Sequence, residues 1–256
     1  MICTKDSSVT DSIFFIQEEI HMTELPLIKS EGHFIITLGG ENYIIDTGSP
    51  MSCSFYGQME VAIGDRKYDV HPLPFEKVGD KISELVHMPI AGLIGLDIMD
   101  GLGCIEISEK EGYVGFGGET DIGFGDYSFP FEVNKGFRVL TTDLKVNGKD
   151  IRVILDTGAR IDYMDPSLLD TTSAVSHEMD YNPIIGSFEV DGYKATYAIG
   201  DRVIDTVCYA ATEKLKAYVS RLGIHDISGV VGLNGFLEGM KSLVIDFRNR
   251  KVILKV

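Results

Sequence analysis

Residues 42–48 read NYIIDTG and residues 152–158 read RVILDTG. In each stretch an apolar run leads into Asp-Thr-Gly, so the chain carries the same signature twice. A shuffled chain of this composition would hold on the order of 0.1 Asp-Thr-Gly triplets. The agreement continues downstream. GLIGL (92–96) answers GVVGL (229–233), and each is followed by a two-strand pattern, CIEISEKEGYVGF (104–116) and SLVIDFRNRKVIL (242–254). Such self-similarity marks an internally duplicated fold.

The halves meet near residue 130, giving an N-terminal lobe over 1–130 and a C-terminal lobe over 131–256. Residues 1–30 match nothing in the second half. They read either as an added strand in an inter-lobe sheet or as a flexible segment. Short strands separated by turn signals dominate: His33–Leu38 turns at Gly39-Gly40, and residues 138–146 turn at Asn147-Gly148 into 151–155. Asp191-Gly192 reads as a third hairpin turn. Helix is scarce, with residues 212–222 the best stretch, a short one starting at Asp165-Pro166 and another within 234–240. The fold class is therefore mainly β, bilobal, with two pseudo-symmetric barrel-like halves and few short helices.

An Asp that follows Ile-Ile or Ile-Leu leaves a buried strand at its end, where a loop exposes it to a cleft. The Gly after it allows close backbone approach, and the Thr offers a hydroxyl to the opposite loop. Two such loops related by pseudo-symmetry bring Asp46 and Asp156 face to face. Carboxylates about 3 Å apart repel by about 5 kcal/mol at an effective dielectric of about 20, so the pair shares one proton over a wide pH range. The ionised member then acts as general base on a water while the protonated one polarises a carbonyl.

The loops IIDTGS (44–49) and ILDTGA (154–159), backed by GLIG (92–95) and GVVG (229–232), resemble those of the pepsin and retropepsin aspartic peptidases. The resemblance covers roughly residues 31–256. It implies an acid-protease fold and an aspartic endopeptidase with Asp46 and Asp156 as the catalytic pair. Thr47 and Thr157 would interlock the loops, and Gly48 and Gly158 would shape them. Ser49 and Ala159, the residues after each Gly, would make the pair unequal: a Ser49 hydroxyl bond to Asp46 would keep Asp46 ionised and leave the proton on Asp156. The flap of this family has two candidates here, the hairpin over 60–70 turning at Gly64-Asp65 with Tyr68 on its arm, and the hairpin at Asp191-Gly192. The chain departs from secreted pepsins in having no Trp, and its second half is longer: 76 residues separate Asp156 from Gly232, against 49 from Asp46 to Gly95. It looks like two retropepsin-like units in one chain. The rival reading is a peptide-binding or regulatory module that keeps the fold and cleaves nothing.

Other classes find less support. The net charge of −16, from 23 basic and 39 acidic residues, repels phosphate backbones and anionic lipid, so nucleic acid and membrane are not expected partners. A peptide or protein substrate and a monomer are expected. The six histidines (21, 33, 71, 87, 177 and 225) form no metal-ligand spacing, and no cofactor or metal is expected. No Gly-x-Ser-x-Gly elbow is present. The glycine-rich run 115–125 reads as turns and a linker between lobes. Cys3, Cys53, Cys104 and Cys208 are widely spaced, and the apolar run Ile13 to Ile16 is too short for a secretion signal, so a cytoplasmic protein with reduced thiols is expected.

Overall fold

The computed structural model describes residues 22–73, 76–118, 120–224 and 226–256. Cys3, His21, His225 and the 13–16 run lie outside them. Among the described residues the chain is mainly strand, with four helices: α1 (Glu76–Leu85), α2 (Leu96–Leu102), α3 (Glu213–Arg221) and α4 (Asn234–Leu237).

The two halves are built on one plan. In the first, His33–Leu38 pairs antiparallel with Glu41–Ile45, and Gly92–Ile94 lies parallel beside the latter. In the second, Leu140–Val146 pairs with Lys149–Leu155, and Gly229–Val231 lies parallel beside it. Each Asp therefore emerges where an apolar strand ends beside a crossing strand. The Asp46 amide donates to the Ile94 carbonyl at 3.0 Å, and the Asp156 amide donates to the Val231 carbonyl at 2.9 Å. Gly92 and Gly229 open the crossing strands because the chain of Cys53–Ser54, or of Asp162–Met164, runs hard against them. A methyl group on Gly229 would sit 2.5 Å from the Tyr163 carbonyl oxygen, and a side chain has no room there.

A six-stranded sheet joins the halves. Its order is Thr23–Pro26, Tyr113–Phe116, Cys104–Ser108, Ser242–Asp246, Lys251–Lys255, Tyr127–Pro130. The hairpin of each half contributes its inner strand to the seam, where Ile105 faces Ile245 and Ile107 faces Leu243. Every residue of Cys104–Ser108 and Ser242–Asp246 is buried. Buried Glu106 is satisfied across the seam by the Ser242 hydroxyl at 2.5 Å and the Lys255 ammonium at 3.2 Å. One continuous apolar core runs from Phe34 and Ile45 through Ile105 and Ile245 to Leu155 and Phe236.

Two sequence expectations change. Asp191-Gly192 is not a turn: the strand Gly186–Ile199 runs straight through it, paired with Ser176–Asn182 on one side and Arg202–Ala210 on the other. Gly192 serves close packing, since a methyl group there would lie 2.8 Å from the Tyr209 ring and from Val207. The turns fall at residues 183–185 and at Gly200-Asp201 instead. Second, α1 and α2 were not anticipated. Gly79 interrupts the α1 pattern, yet it is the residue that lets Phe55 pack on the helix, 2.7 Å from where its methyl group would stand. The helix over 212–222 is α3, whose first turn is capped by the Thr212 hydroxyl accepting from the Leu215 amide at 3.2 Å. No described helix is long and apolar enough to cross a membrane.

Candidate active site

The two Asp-Thr-Gly loops meet at the centre of the molecule, and both threonines are fully buried. The Thr47 amide donates to Thr157 Oγ1 at 2.9 Å, and the Thr157 amide donates to Thr47 Oγ1 at 2.9 Å. Each hydroxyl then donates onward, Thr47 to the Leu155 carbonyl at 2.9 Å and Thr157 to the Ile45 carbonyl at 2.7 Å. Each loop thus satisfies the backbone of the other. Gly48 faces the Asp156 carboxyl and Gly158 faces that of Asp46, where a methyl group would stand 2.6 Å from the carboxyl carbon. Glycine is required here by contact.

The carboxyls of Asp46 and Asp156 are hydrogen-bonded to each other, and burial raises the pKa of both. Asp46 is pushed well above the usual carboxylate range, by burial first and then by the charge of Asp156. Asp156 is raised too, burial outweighing the Asp46 hydrogen bond and the nearby backbone amides that favour its charged form. The Gly158 amide donates to Asp156 Oδ1 at 2.8 Å. The two carboxyls titrate as a unit. The Ser49 hydroxyl, expected to bond Asp46, is turned away from the pair and donates to the Met51 carbonyl at 2.8 Å.

The pair lies on the floor of a cavity of about 750 Å³. Its side walls are helices from the two halves, with Val78 and Ile82 on α1, Leu215, Tyr218 and Val219 on α3, and Leu222 at the C-cap of α3. The turn at 183–185 contributes Pro183 and Ile184, with Tyr181 and Phe188 on the adjoining strands. That hairpin is tied to the second loop through Arg160. Its guanidinium donates to Glu178 Oε2 at 3.2 Å and to the Met179 carbonyl at 2.8 Å, and it is ion-paired with Asp180. The Tyr163 hydroxyl also bonds Asp180. Among the described residues no group of three or more His, Cys, Asp or Glu side chains converges as a metal site.

No protein-family model matches the sequence, and no curated protein matches it. Solved structures do. The crystal structure of Basic 7S globulin from soybean matches over 92% of this chain and 94% of that one, with 10% identity and a TM-score of 0.51. The solution structure of Simian Foamy Virus (mac) protease matches over 36% of this chain and 87% of that one, with 13% identity and a TM-score of 0.26. The fold is distantly acid-protease-like.

Neither turn singled out in the sequence as flap, at Gly64-Asp65 or at Asp191-Gly192, lines the cleft. The strands Glu60–Ile63 and Arg66–Asp69 do form a hairpin at Gly64-Asp65, but Gly64 sits against Thr23, and Val61, Ile63 and Tyr68 pack on the main core. Gly64 and Tyr68 do not line the cleft. With four residues per arm the hairpin is committed to core contacts. The hairpin that does line the cleft turns at 183–185, seven residues before Gly192. Sequence reading also passed over Arg160, Tyr163, Asp180 and Tyr218. Arg160 directly follows Ala159, and a cation beside an Asp-Thr-Gly loop was the one available signal. The others come from strands and a helix whose distance along the chain hides their convergence.

Proposed function

We propose that this chain hydrolyses peptide bonds, as an aspartic endopeptidase with Asp46 and Asp156 as its catalytic pair. The observation that carries the reading is the mutually hydrogen-bonded carboxyl pair, both members raised in pKa by burial, at the floor of a largely apolar cleft. Ionised Asp156 takes a proton from a water as its oxygen bonds the carbonyl carbon, while Asp46 gives its proton to the carbonyl oxygen. The product is a neutral tetrahedral diol. On collapse the carbon–nitrogen bond breaks, Asp156 gives its proton to the leaving nitrogen, and a diol hydroxyl returns a proton to Asp46. The starting protonation state is restored without a covalent enzyme intermediate.

The cleft walls suit an extended peptide with apolar side chains about the scissile bond. A single chain supplies both carboxyls, so the reading needs no second copy. The test is incubation with a diverse peptide library at several pH values, followed by sequencing of the products. Cleavage between apolar residues that disappears in Asp46→Asn is the expected result. Peptide binding without cleavage at any pH would replace the reading with a non-catalytic peptide-binding module.

A further inference from the structure

Three tyrosines line the cleft: Tyr163, Tyr181 and Tyr218. The Tyr163 hydroxyl is committed to Asp180, and Tyr181 lies on the strand Ser176–Asn182 of the hairpin turning at 183–185. Tyr218 stands on α3, a helix fixed by its Thr212 cap, by buried Leu215 and by Val219 and Leu222 packed over Val139 and Ile154. Its ring is half-buried among the α3 contacts, and its hydroxyl makes no hydrogen bond to any described residue. A rigid element thus presents an uncommitted donor to the cavity that holds the carboxyl pair.

The other half has no equivalent. Val78 and Ile82 on α1 precede Gly92 by the same intervals at which Leu215 and Val219 precede Gly229, so the two helices correspond. The position matching Tyr218 is Lys81, which is ion-paired with Glu84 at 3.0 Å. The phenol is a feature of one side only.

We propose that the Tyr218 hydroxyl donates a hydrogen bond to the oxygen of the attacked carbonyl as it becomes tetrahedral, making Tyr218 a third catalytic residue. This deepens the peptidase reading and rests on it. The phenol keeps its proton throughout: burial first, then the charges of Asp156 and Asp46, raise its pKa. No proton is transferred, so the bond-making and bond-breaking steps are unchanged. Its hydrogen bond strengthens as charge develops on the oxygen, which places the effect on the transition state.

Tyr218→Phe keeps the ring and removes the donor. On a peptide that the wild type cleaves, kcat should fall about 100-fold, the scale of losing one preorganised donor, with KM nearly unchanged. Two inhibitory peptides separate this from general packing: one with a hydroxyethylene unit in place of the scissile amide, one with a plain ethylene unit. The variant should lose affinity for the first and keep it for the second. An unchanged kcat, a change in KM alone, or equal losses for both inhibitors would overturn the assignment while leaving the peptidase reading intact. A wild-type protein that cleaves no peptide and binds neither inhibitor would remove both.

Discussion

Thr47 and Thr157 exchange hydrogen bonds across the pseudo-symmetry axis, each hydroxyl accepting the other's amide at 2.9 Å. Neither loop is satisfied without its partner. Replacing Thr47 by Val keeps the shape but leaves the Thr157 amide and the Leu155 carbonyl without it. Orphaned buried groups of this kind cost about 1–3 kcal/mol each. We expect Thr47→Val to lose about 2–4 kcal/mol in denaturant unfolding. A loss below about 1 kcal/mol would show that the loops hold each other by packing alone.

Asp46→Asn and Asp156→Asn should each abolish hydrolysis and leave the fold intact. Each removes a group that must change charge during turnover. Both pKa values are raised by burial, so the folded protein holds protons that the unfolded chain releases. Stability therefore falls as pH rises above the unfolded carboxylate value, and an amide at either position relieves that loss. At neutral pH the variants should be as stable as the wild type or more so. Activity within tenfold of wild type in either would remove the pair from the mechanism.

The pH dependence of kcat/KM should be a bell set by the pair as a unit. Its alkaline limb follows loss of the shared proton, which burial of the pair holds above the ordinary carboxylate pKa. Because the Ser49 hydroxyl is bonded to the Met51 carbonyl, Ser49→Ala should leave the acid limb where it is. A shift of that limb to higher pH would show that Ser49 does stabilise an ionised carboxyl.

Asp162 lies under the second loop and is nearly inaccessible, at 5% exposure. Its carboxyl accepts from the Tyr197 hydroxyl at 2.6 Å, and burial still outweighs that bond and the Gly232 amide, raising its pKa to about 7. Below the unfolded value near 4 both states are protonated and the site has no pH-dependent effect. Between about 4 and about 7 the unfolded chain alone loses the proton, so stability falls, by on the order of 4 kcal/mol at about 1.4 kcal/mol per unit. Asp162→Asn should match the wild type near pH 4 and exceed it above pH 7 in chemical unfolding. Parallel stability curves for the two proteins would rule out this titration.

The sequence alone determined the duplication, the mainly β architecture and the placing of Asp46 and Asp156 at strand ends. These are local matters: two apolar runs before Asp-Thr-Gly, two Gly-apolar-apolar-Gly strands, and turn residues such as Gly39-Gly40 and Asn147-Gly148. Tertiary structure decided what depends on distant partners. Gly192 looks like a turn residue, but a strand with neighbours on both sides makes it a packing position. Ser49 looks like a donor to Asp46, but the Met51 carbonyl takes its hydroxyl. Tyr218 lines the same cleft as the pair only because α3 returns to it 62 residues after Asp156. The chain's local chemistry sets the loops, while the assembled walls above them decide what the loops can act upon.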